Sequence, residues 1–416
     1  MFRKNINLFL NHFTSKWIIS NDNYLYIKNF QPKVAIIAPT LDTVPSRFGN
    51  AIYDLVEDIA VNSSFPVLII SRYFKDHPIS IISDQIIYYD YEREMNLFEK
   101  TIGYRGRKVL WGISHVFDKF YLKRVLHFLE NTSVKIVMTE DHLSFLPALS
   151  SFFSKRFTFL HHQHSNAFLN VKPYFSYRFT KYVNDIIFVS EITMLETKEK
   201  VKLAKPILRF IYNGIKLSNY PKPDLLRNNS INLLFVGRII PGKGVKELIT
   251  AVLNLNNIHV QLKIVGNFED NIDHGDEFYI KEIKQLAYAS GGRIELCGQV
   301  SQEKLSDFYI WSDFVVVPSI FKEGLPKVVF ESLIMGKPVI TSRRGGISEF
   351  IINKVNGVYI EDPVDECSIQ KAIEIAFTES SLLQLNTFNA MDDIRRYLCT
   401  ERMAFEFDQI FKYYIK

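Results

Sequence analysis

Cysteine is scarce in this sequence of 416 residues, which contains only Cys297, Cys367 and Cys399. Their number is odd, and their spacing matches neither a zinc site nor a disulfide framework. The reducing cytosol is therefore the expected compartment. Long apolar runs are also missing: no stretch of about 18 apolar residues occurs, so no helix is expected to span a bilayer.

The first 30 residues lack the uninterrupted apolar core and the small-residue cleavage site of a signal peptide, so secretion is not expected. One helical face of this segment nevertheless carries apolar side chains flanked by basic ones: Phe2, Ile6, Phe9, Leu10, Phe13 and Trp17, with Arg3, Lys4 and Lys16. Two interpretations stay open. The segment lies on an anionic membrane, or it packs as a helix on the neighbouring domain. Under the first interpretation, the protein is cytoplasmic and binds peripherally to the cytoplasmic face of the membrane.

Basic residues outnumber acidic residues only slightly in this sequence. Fifty lysines and arginines face 45 aspartates and glutamates, for a formal net charge of +5. This is too little to indicate nucleic acid as a partner, but it is compatible with anionic small molecules. A hydrophobic content of 47% and a charged content of 23% exclude global disorder and fibrous repeats.

Short apolar runs alternate with segments of helical periodicity in two stretches of the chain. The clearest strand candidates are 34–38, 67–70, 134–138, 186–189, 231–236, 260–265, 314–317 and 339–341. Such alternation predicts parallel sheets built from βαβ units. The predicted fold class is α/β, with two doubly wound Rossmann-like domains facing a central cleft where ligands bind beyond the carboxyl ends of the strands.

Proline, glycine and asparagine punctuate the region between the two stretches and predict a linker. The expected boundaries are an N-terminal amphipathic segment over 1–30, an N-terminal domain over 31–215, the linker over 216–230, a C-terminal domain over 231–390, and a C-terminal helix over 391–416 that can cross back to the N-terminal domain.

The most informative segment is 314–350, in which a buried strand leads to a loop with Glu323 and then to a helix with Glu331. A helix N-terminus carries roughly half a positive charge and several free N–H groups, so the amides of 324–328 form a candidate phosphate cradle. Ionised carboxylates only accept hydrogen bonds, which suits the vicinal hydroxyls of a sugar. The segment predicts a site for a phosphate between two polyhydroxylated rings, as in a sugar nucleotide.

A second element follows the first strand of the C-terminal stretch. Gly237 permits close approach of a ligand, and Arg238 and Lys243 supply two positive charges that suit a diphosphate. Preorganised cations and helix dipoles can stabilise a departing diphosphate without a metal. Structural roles are the alternatives: an ordinary exposed helix position for Glu331, a complement to the helix dipole for Glu323, and solvated loop charges for the two cations.

With these motifs the chain resembles glycosyltransferases of the GT-B fold, and specifically glycosyltransferase family 4, from Val34 over nearly its whole length. The signature is the pair Glu323 and Glu331 with seven residues between them, joined by Gly237-Arg238 and Lys243-Gly244. The resemblance implies that Glu331 binds the ribose hydroxyls and that Glu323 contacts the donor sugar. It assigns the rest of the donor site to Gly237, Arg238, Lys243, Gly324, Leu325, Pro326 and Lys327. It also implies a retaining reaction with no metal or other cofactor, and the sequence contains no Asp-x-Asp triplet.

The N-terminal half carries weaker parts of the same resemblance. The loop Thr43–Ala51 resembles the family's glycine loop, but has Gly49-Asn50 where the family has two glycines. A histidine near the donor sugar follows a strand in many members; here His162 fits best and His164 second, in the run His161-His162-Gln163-His164. Clustered histidines also raise the alternative of a metal site, which we do not expect because no carboxylate is evident nearby in the sequence.

The function expected from this resemblance is transfer of a sugar from a nucleotide sugar, UDP-linked, to a hydroxyl of a glycan or lipid-linked glycan in surface polysaccharide biosynthesis. Glu323, His162, Arg238 and Lys243 are the candidate catalytic residues. Two alternatives stay open: a sugar-nucleotide epimerase or hydrolase of the same fold, and a non-catalytic glycosyltransferase-like subunit.

Overall fold

The structure is a computed structural model that describes residues 30–39, 51–72, 85–89, 114–143, 145–149, 156–223, 231–256, 258–268 and 277–416. The predicted amphipathic segment, apart from Phe30, lies outside these residues, as do the glycine loop with Gly49 and part of the linker. The chain divides into two compact units, residues 1–160 with 411–416 and residues 161–410. The domain boundaries expected from the sequence stay a prediction.

Seven strands form the first sheet, in the order β3-β2-β1-β4-β5-β6-β7. They are β1 (Val34–Ile37), β2 (Val67–Arg72), β3 (Ile86–Tyr89), β4 (Ile136–Glu140), β5 (Thr158–Gln163), β6 (Asp185–Phe188) and β7 (Ile207–Phe210). The helices of this part are α1 (Ala51–Asn62), α2 (Ser114–Leu129), α3 (Phe145–Leu149), α4 (Pro173–Thr180) and α5 (Glu191–Lys200). The ladders of β1 with β2, β1 with β4, β2 with β3 and β6 with β7 are parallel.

Six parallel strands form the second sheet, in the order β10-β9-β8-β11-β12-β13. They are β8 (Ile231–Val236), β9 (Val260–Val265), β10 (Ile294–Gly298), β11 (Phe314–Val317), β12 (Val339–Ser342) and β13 (Gly357–Ile360). The helices are α6 (Val245–Asn254), α7 (Glu277–Ala289), α8 (Gln302–Trp311), α9 (Lys327–Ile334), α10 (Glu366–Thr378), α11 (Ser380–Tyr397) and α12 (Thr400–Ile415).

Apolar periodicity explains how the helices cover the second sheet. In α6, the positions 245, 248, 249 and 252 are completely buried, which is the spacing of one helical face. This face shares a core with α10 and the sheet. The opposite face of the sheet shares a core with α9, whose residues Val329, Phe330, Leu333 and Ile334 are all fully buried.

Strand β11 is buried at all four positions and consists of Phe and three valines, as expected for a central parallel strand. The two parallel sheets with interleaved helices confirm the predicted α/β class and the two Rossmann-like sheets. Within the described part of the chain, no helix combines the length and the apolar character needed to cross a membrane.

Candidate active site

The order of the second sheet places the candidate residues at its topological switch point. Strands β8 and β11 are neighbours, but the chain leaves β8 towards β9 on one side and leaves β11 towards β12 on the other. Loops that diverge in this way open a crevice beyond the carboxyl ends of the strands. The loop after β8 carries Lys243 and the loop after β11 carries Glu323, so both predicted charges lie at this crevice.

Glu323 is bound to both loops. Its Oε1 atom forms an ion pair with the ammonium of Lys243 and accepts a hydrogen bond of 2.6 Å from the hydroxyl of Ser319. Side-chain exposure is 15% for Lys243 and 11% for Glu323, so the pair is largely shielded from water. The ammonium also lies 5.3 Å from the ring centroid of Phe321. Sequence analysis predicted each charge, and the structure brings them together.

Glycines permit the close packing of the main chain around Glu323. A Cβ atom at Gly345, where φ is +58°, would strike the Glu323 carbonyl oxygen, and one at Gly324 would strike the His164 carbonyl oxygen. The Gly346 amide donates to the Gly324 carbonyl at 2.9 Å, and the Asn166 side-chain amide donates to the Glu323 carbonyl at 3.2 Å. The Glu323 main chain is therefore held by the loop after β12 and by the segment after β5.

Glu331 lies in a different environment, inside helix α9, and only 6% of its side chain is exposed. Its Oε1 accepts a hydrogen bond of 2.6 Å from the Tyr220 hydroxyl, and its Oε2 accepts one of 2.7 Å from the Tyr309 hydroxyl. Both tyrosines are completely buried. Burial, and then the nearby Glu331 carboxylate, raise the pKa of Tyr309 well above its usual value, so this phenol stays a donor. The alternative of an ordinary exposed helix position for Glu331 is wrong.

The remaining predicted donor residues lie in two places: Leu325, Pro326 and Lys327 between the two glutamates, and Gly237 and Arg238 after β8. Arg238 is exposed, and no salt bridge joins it to any residue in the described ranges. Lys327 lies in the first turn of α9 with its ammonium 3.9 Å from Glu331 Oε1. Gly237 follows β8 directly, and Leu325 and Pro326 are buried where the loop enters α9.

The histidines predicted from the resemblance follow one another at the end of β5. His162 is completely buried, with its ring centroid 5.0 Å from that of Phe407 and 4.1 Å from that of His164. His164 is partly accessible, and its carbonyl is the group packed against Gly324. His161 is buried, with Nε2 3.1 Å from the Gln163 side-chain oxygen. The assignment of His162, or as second choice His164, to the donor sugar stays a prediction.

Glu349 is a further carboxylate of this region that sequence analysis missed. Its two oxygens accept hydrogen bonds of 3.1 and 2.9 Å from the amides of Glu191 and Ile192, at the N-terminus of α5. The Tyr212 hydroxyl donates to it at 2.6 Å. Burial and this carboxylate raise the pKa of Tyr212. The carboxylate thus occupies the positive end of the helix dipole and ties the segment after β12 to α5.

Ser319, Tyr220 and Tyr309 were missed as well. Ser319 directly follows Pro318 at the carboxyl end of β11, so the rule that ligands bind at such ends gives a signal for it. The two tyrosines give none, because they precede Glu331 by 111 and 22 residues and lie on other elements.

The chain is similar in sequence to known glycosyltransferases. Residues 218–387 match the family model described as glycosyl transferases group 1. The lipopolysaccharide 1,2-N-acetylglucosaminetransferase of Salmonella typhimurium is 27% identical over 212 residues, which are 49% of this chain and 56% of that protein. The chain spans about half the length of the curated relatives it matches first, at 54 to 56%.

Solved structures resemble the chain over much more of its length. Sucrose-phosphate synthase from Thermosynechococcus elongatus superposes with a TM-score of 0.74, at 18% identity, over 92% of this chain and 98% of that one. Anabaena HepE in complex with UDP superposes with a TM-score of 0.67, at 16% identity, over 92% and 100% of the two chains. The chain therefore has the GT-B fold, as predicted, and its relatives support a glycosyltransferase.

Proposed function

We propose that the chain is a retaining glycosyltransferase of family 4 that moves a sugar from a UDP-linked donor to a hydroxyl of a glycan or lipid-linked glycan in surface polysaccharide synthesis. The observation that carries this proposal is the pairing of Glu323 with Lys243 at the switch point of the second sheet, directly before the helix that carries Glu331. The UDP bound by the Anabaena protein and the name of the Salmonella relative support the donor and the setting.

In this proposal the ribose hydroxyls bind Glu331, the donor sugar contacts Glu323, and the diphosphate binds Arg238, Lys243 and the amides at the start of α9. The ion pair of Lys243 with Glu323 does not exclude a phosphate, because an ammonium has three donors and Glu323 uses one of them. Lys243 can therefore bridge the carboxylate and a phosphate oxygen.

The acceptor hydroxyl attacks the anomeric carbon from the face that the diphosphate leaves. The bond from this carbon to the phosphate oxygen breaks, the new glycosidic bond forms with the same configuration, and the departing phosphate takes the acceptor's proton. Arg238, Lys243 and the dipole of α9 stabilise the charge on the diphosphate. This chemistry needs no protein nucleophile, metal or other cofactor.

A thermal-shift panel of UDP, GDP and ADP, each with and without EDTA, tests the donor site. A ligand that binds only the native state stabilises it by about 2.7 kcal/mol at a hundredfold excess over its Kd. We expect a shift with UDP that EDTA leaves unchanged and that Glu331→Ala abolishes. Glu374→Ala, on the exposed side of α10, is the control and should keep the shift. A wild-type chain that no nucleotide stabilises contradicts the donor site.

Stereochemistry tests the reaction. Slow hydrolysis of UDP-glucose or UDP-N-acetylglucosamine by the enzyme is followed by proton NMR before the released sugar mutarotates. The α-anomer as first product supports retention, and the β-anomer contradicts it. An epimerised nucleotide sugar would instead favour an epimerase.

We also propose a peripheral contact with an anionic membrane through helix α4. Tyr174, Phe175 and Tyr177 on this helix are 65, 46 and 44% exposed. Arg178 on the same helix is also exposed, as are Lys172 and Lys181, which flank it, and residues 165–184 contain no aspartate or glutamate. Aromatic rings favour the membrane interface and basic side chains favour anionic lipid, so the exposed rings and the positive charge of this helix suit an anionic bilayer.

Vesicle co-sedimentation tests this contact. The double variant Tyr174→Ser/Phe175→Ser should bind vesicles of phosphatidylglycerol and phosphatidylcholine less than the wild type does. The matched control is Phe278→Ser/Tyr288→Ser on α7, where the aromatic side chains are 85 and 92% exposed but Glu277 and Glu282 lie on the same helix. Equal losses in both variants, or equal wild-type binding to pure phosphatidylcholine, would refute the assignment to α4.

A further inference from the structure

The Glu331 carboxylate is held by one neutral donor on each oxygen. Tyr220 and Tyr309 supply these donors at 2.6 and 2.7 Å. The terminal torsion of a glutamate side chain is broad when it is free, but two donors on opposite oxygens fix the plane of the carboxylate. An ionised carboxylate has about four acceptor positions, so two positions remain for a ligand, and their directions are set by the tyrosines.

Tyr220 is itself fixed through Arg395, which is 8% exposed on helix α11. The guanidinium donates to the Tyr220 carbonyl at 2.6 Å and to the Ile334 carbonyl at 2.9 Å. Ile334 is the last residue of α9, the helix that carries Glu331. One buried arginine therefore ties the main chain of Tyr220 to the C-terminus of the glutamate's own helix.

A competing partner shows why neutral donors matter. The Lys327 ammonium lies 3.9 Å from Glu331 Oε1, the same oxygen that accepts from Tyr220. If the Tyr220 hydroxyl were absent, that oxygen would turn towards Lys327, one helical turn away, because opposite charges attract strongly in a shielded site. The neutral phenol donates to this oxygen at 2.6 Å and so holds it closer to itself than to the Lys327 ammonium.

We propose that Tyr220 and Tyr309 are positioning residues that aim the two unused acceptor positions of Glu331 at the vicinal hydroxyls of a ribose. They thereby set the selectivity of the site for a ribonucleotide over its deoxy analogue. The inference rests on the proposed function, since it takes a nucleotide as the ligand. It adds the residues that make Glu331 a directional acceptor, with Arg395 acting through Tyr220.

The test is a ratio of two dissociation constants on one protein sample, for 2′,3′-dideoxy-UDP and for UDP, measured by isothermal titration calorimetry. A hydrogen bond to a charged group corresponds to a factor of roughly 10 to 100 in affinity, so we expect the wild type to favour UDP by about that factor. Tyr220→Phe and Tyr309→Phe should each reduce the ratio to a few-fold, and the double variant should bring it near one, as Glu331→Ala does.

The ratio of the two dissociation constants separates a positioning role from a merely structural one. Partial unfolding weakens the binding of both ligands equally and leaves the ratio unchanged. Tyr359→Phe is the matched control, since it also removes a tyrosine hydroxyl, one that donates to the Ile351 carbonyl at 2.5 Å. It should keep the wild-type ratio. If Tyr309→Phe does not fold, Tyr220→Phe and Arg395→Lys carry the test, each with a reduced ratio expected.

The outcomes distinguish this inference from the proposed function. If the wild type binds neither UDP nor any other ribonucleoside diphosphate, the proposed function itself fails. If the wild type favours UDP and Glu331→Ala loses the preference while both Phe variants keep it, the function stands and the positioning role is refuted. A wild-type ratio of one also refutes it, because Glu331 then contacts no ribose hydroxyl.

Discussion

The two glutamates of the signature differ more in their surroundings than in their chemistry. Glu323 lies in a loop, and its partners are a cation and a serine hydroxyl. Glu331 lies inside a helix, and both of its oxygens accept from buried phenols. A flexible ammonium can move or share its donors when a phosphate arrives, whereas two buried rings cannot. Glu323 therefore belongs to an adjustable cluster of charges, and Glu331 to a fixed pair of hydrogen bonds from two tyrosines.

Removing the cation should have the largest effect, because it breaks the adjustable cluster. We expect Lys243→Ala to lower kcat about 10²- to 10³-fold, the usual loss on removal of one preorganised electrostatic group. Initial rates with a UDP-sugar donor measure it. Lys322→Ala is the control, because Lys322 also pairs with a glutamate, Glu196, but is 48% exposed. A Lys243 variant that keeps more than half of the wild-type rate would show that the cluster is structural only.

The glycine beside Glu323 offers a matched pair of substitutions. Gly345 and Gly291 have φ of +58° and +61°, but a Cβ at Gly345 would strike the Glu323 carbonyl, while one at Gly291 has no atom within 4 Å. Both alanine variants should lose about 1–2 kcal/mol of unfolding free energy from the left-handed backbone. Gly345→Ala should lose more in urea unfolding and should also lose activity. Equal losses in the two variants would mean that the loop after β12 does not hold Glu323.

Much of this comparison was readable from the sequence, for a physical reason. The parallel sheets, the loop position of Glu323 and the helical position of Glu331 follow from local periodicity and from residues close in the chain. The partners of the two carboxylates do not. Lys243 precedes Glu323 by 80 residues and Tyr220 precedes Glu331 by 111, so both contacts arise only when the strand order of the sheet brings separate loops and helices together. The burial of Glu331 was hidden for the same reason.

Alkaline pH should test whether the Tyr309 phenol beside Glu331 stays neutral in the folded chain. Burial raises the pKa of Tyr309 well above its usual value near 10.0. Its contribution to stability is therefore fully present below pH 10 and is lost as the pH rises further, because the unfolded chain then releases a proton that the folded chain keeps. The free energy of unfolding of the wild type should fall relative to Tyr309→Phe by up to about 1.4 kcal/mol per pH unit above 10.

Urea unfolding of both proteins at pH 8, 10 and 11 would measure this difference. Within the described ranges, the other tyrosines with raised pKa are Tyr212, Tyr279 and Tyr359, and their contributions cancel because both proteins contain them. A constant difference across these pH values would mean that the Tyr309 phenol ionises as readily in the folded chain as in the unfolded one. Tyr309 would then not be a lasting neutral donor to Glu331.

The smallest effect is expected for the serine that shares Glu323 with Lys243. Ser319→Ala removes one hydrogen bond of 2.6 Å but leaves the ion pair in place, so kcat should fall only about three- to tenfold, the equivalent of about 1 kcal/mol.

The salt dependence of this loss tests whether Ser319 and Lys243 act together. In Ser319→Ala the ammonium restrains the carboxylate alone, so the loss should grow at high salt, which weakens the remaining ion pair. Ser348→Ala, which removes a 3.3 Å bond to the Gly345 carbonyl, should show no such dependence on salt. If Ser319→Ala responds to salt no more than this control does, the serine and the lysine act independently on Glu323. The charge cluster around Glu323 would then be less adjustable than its contrast with Glu331 implies.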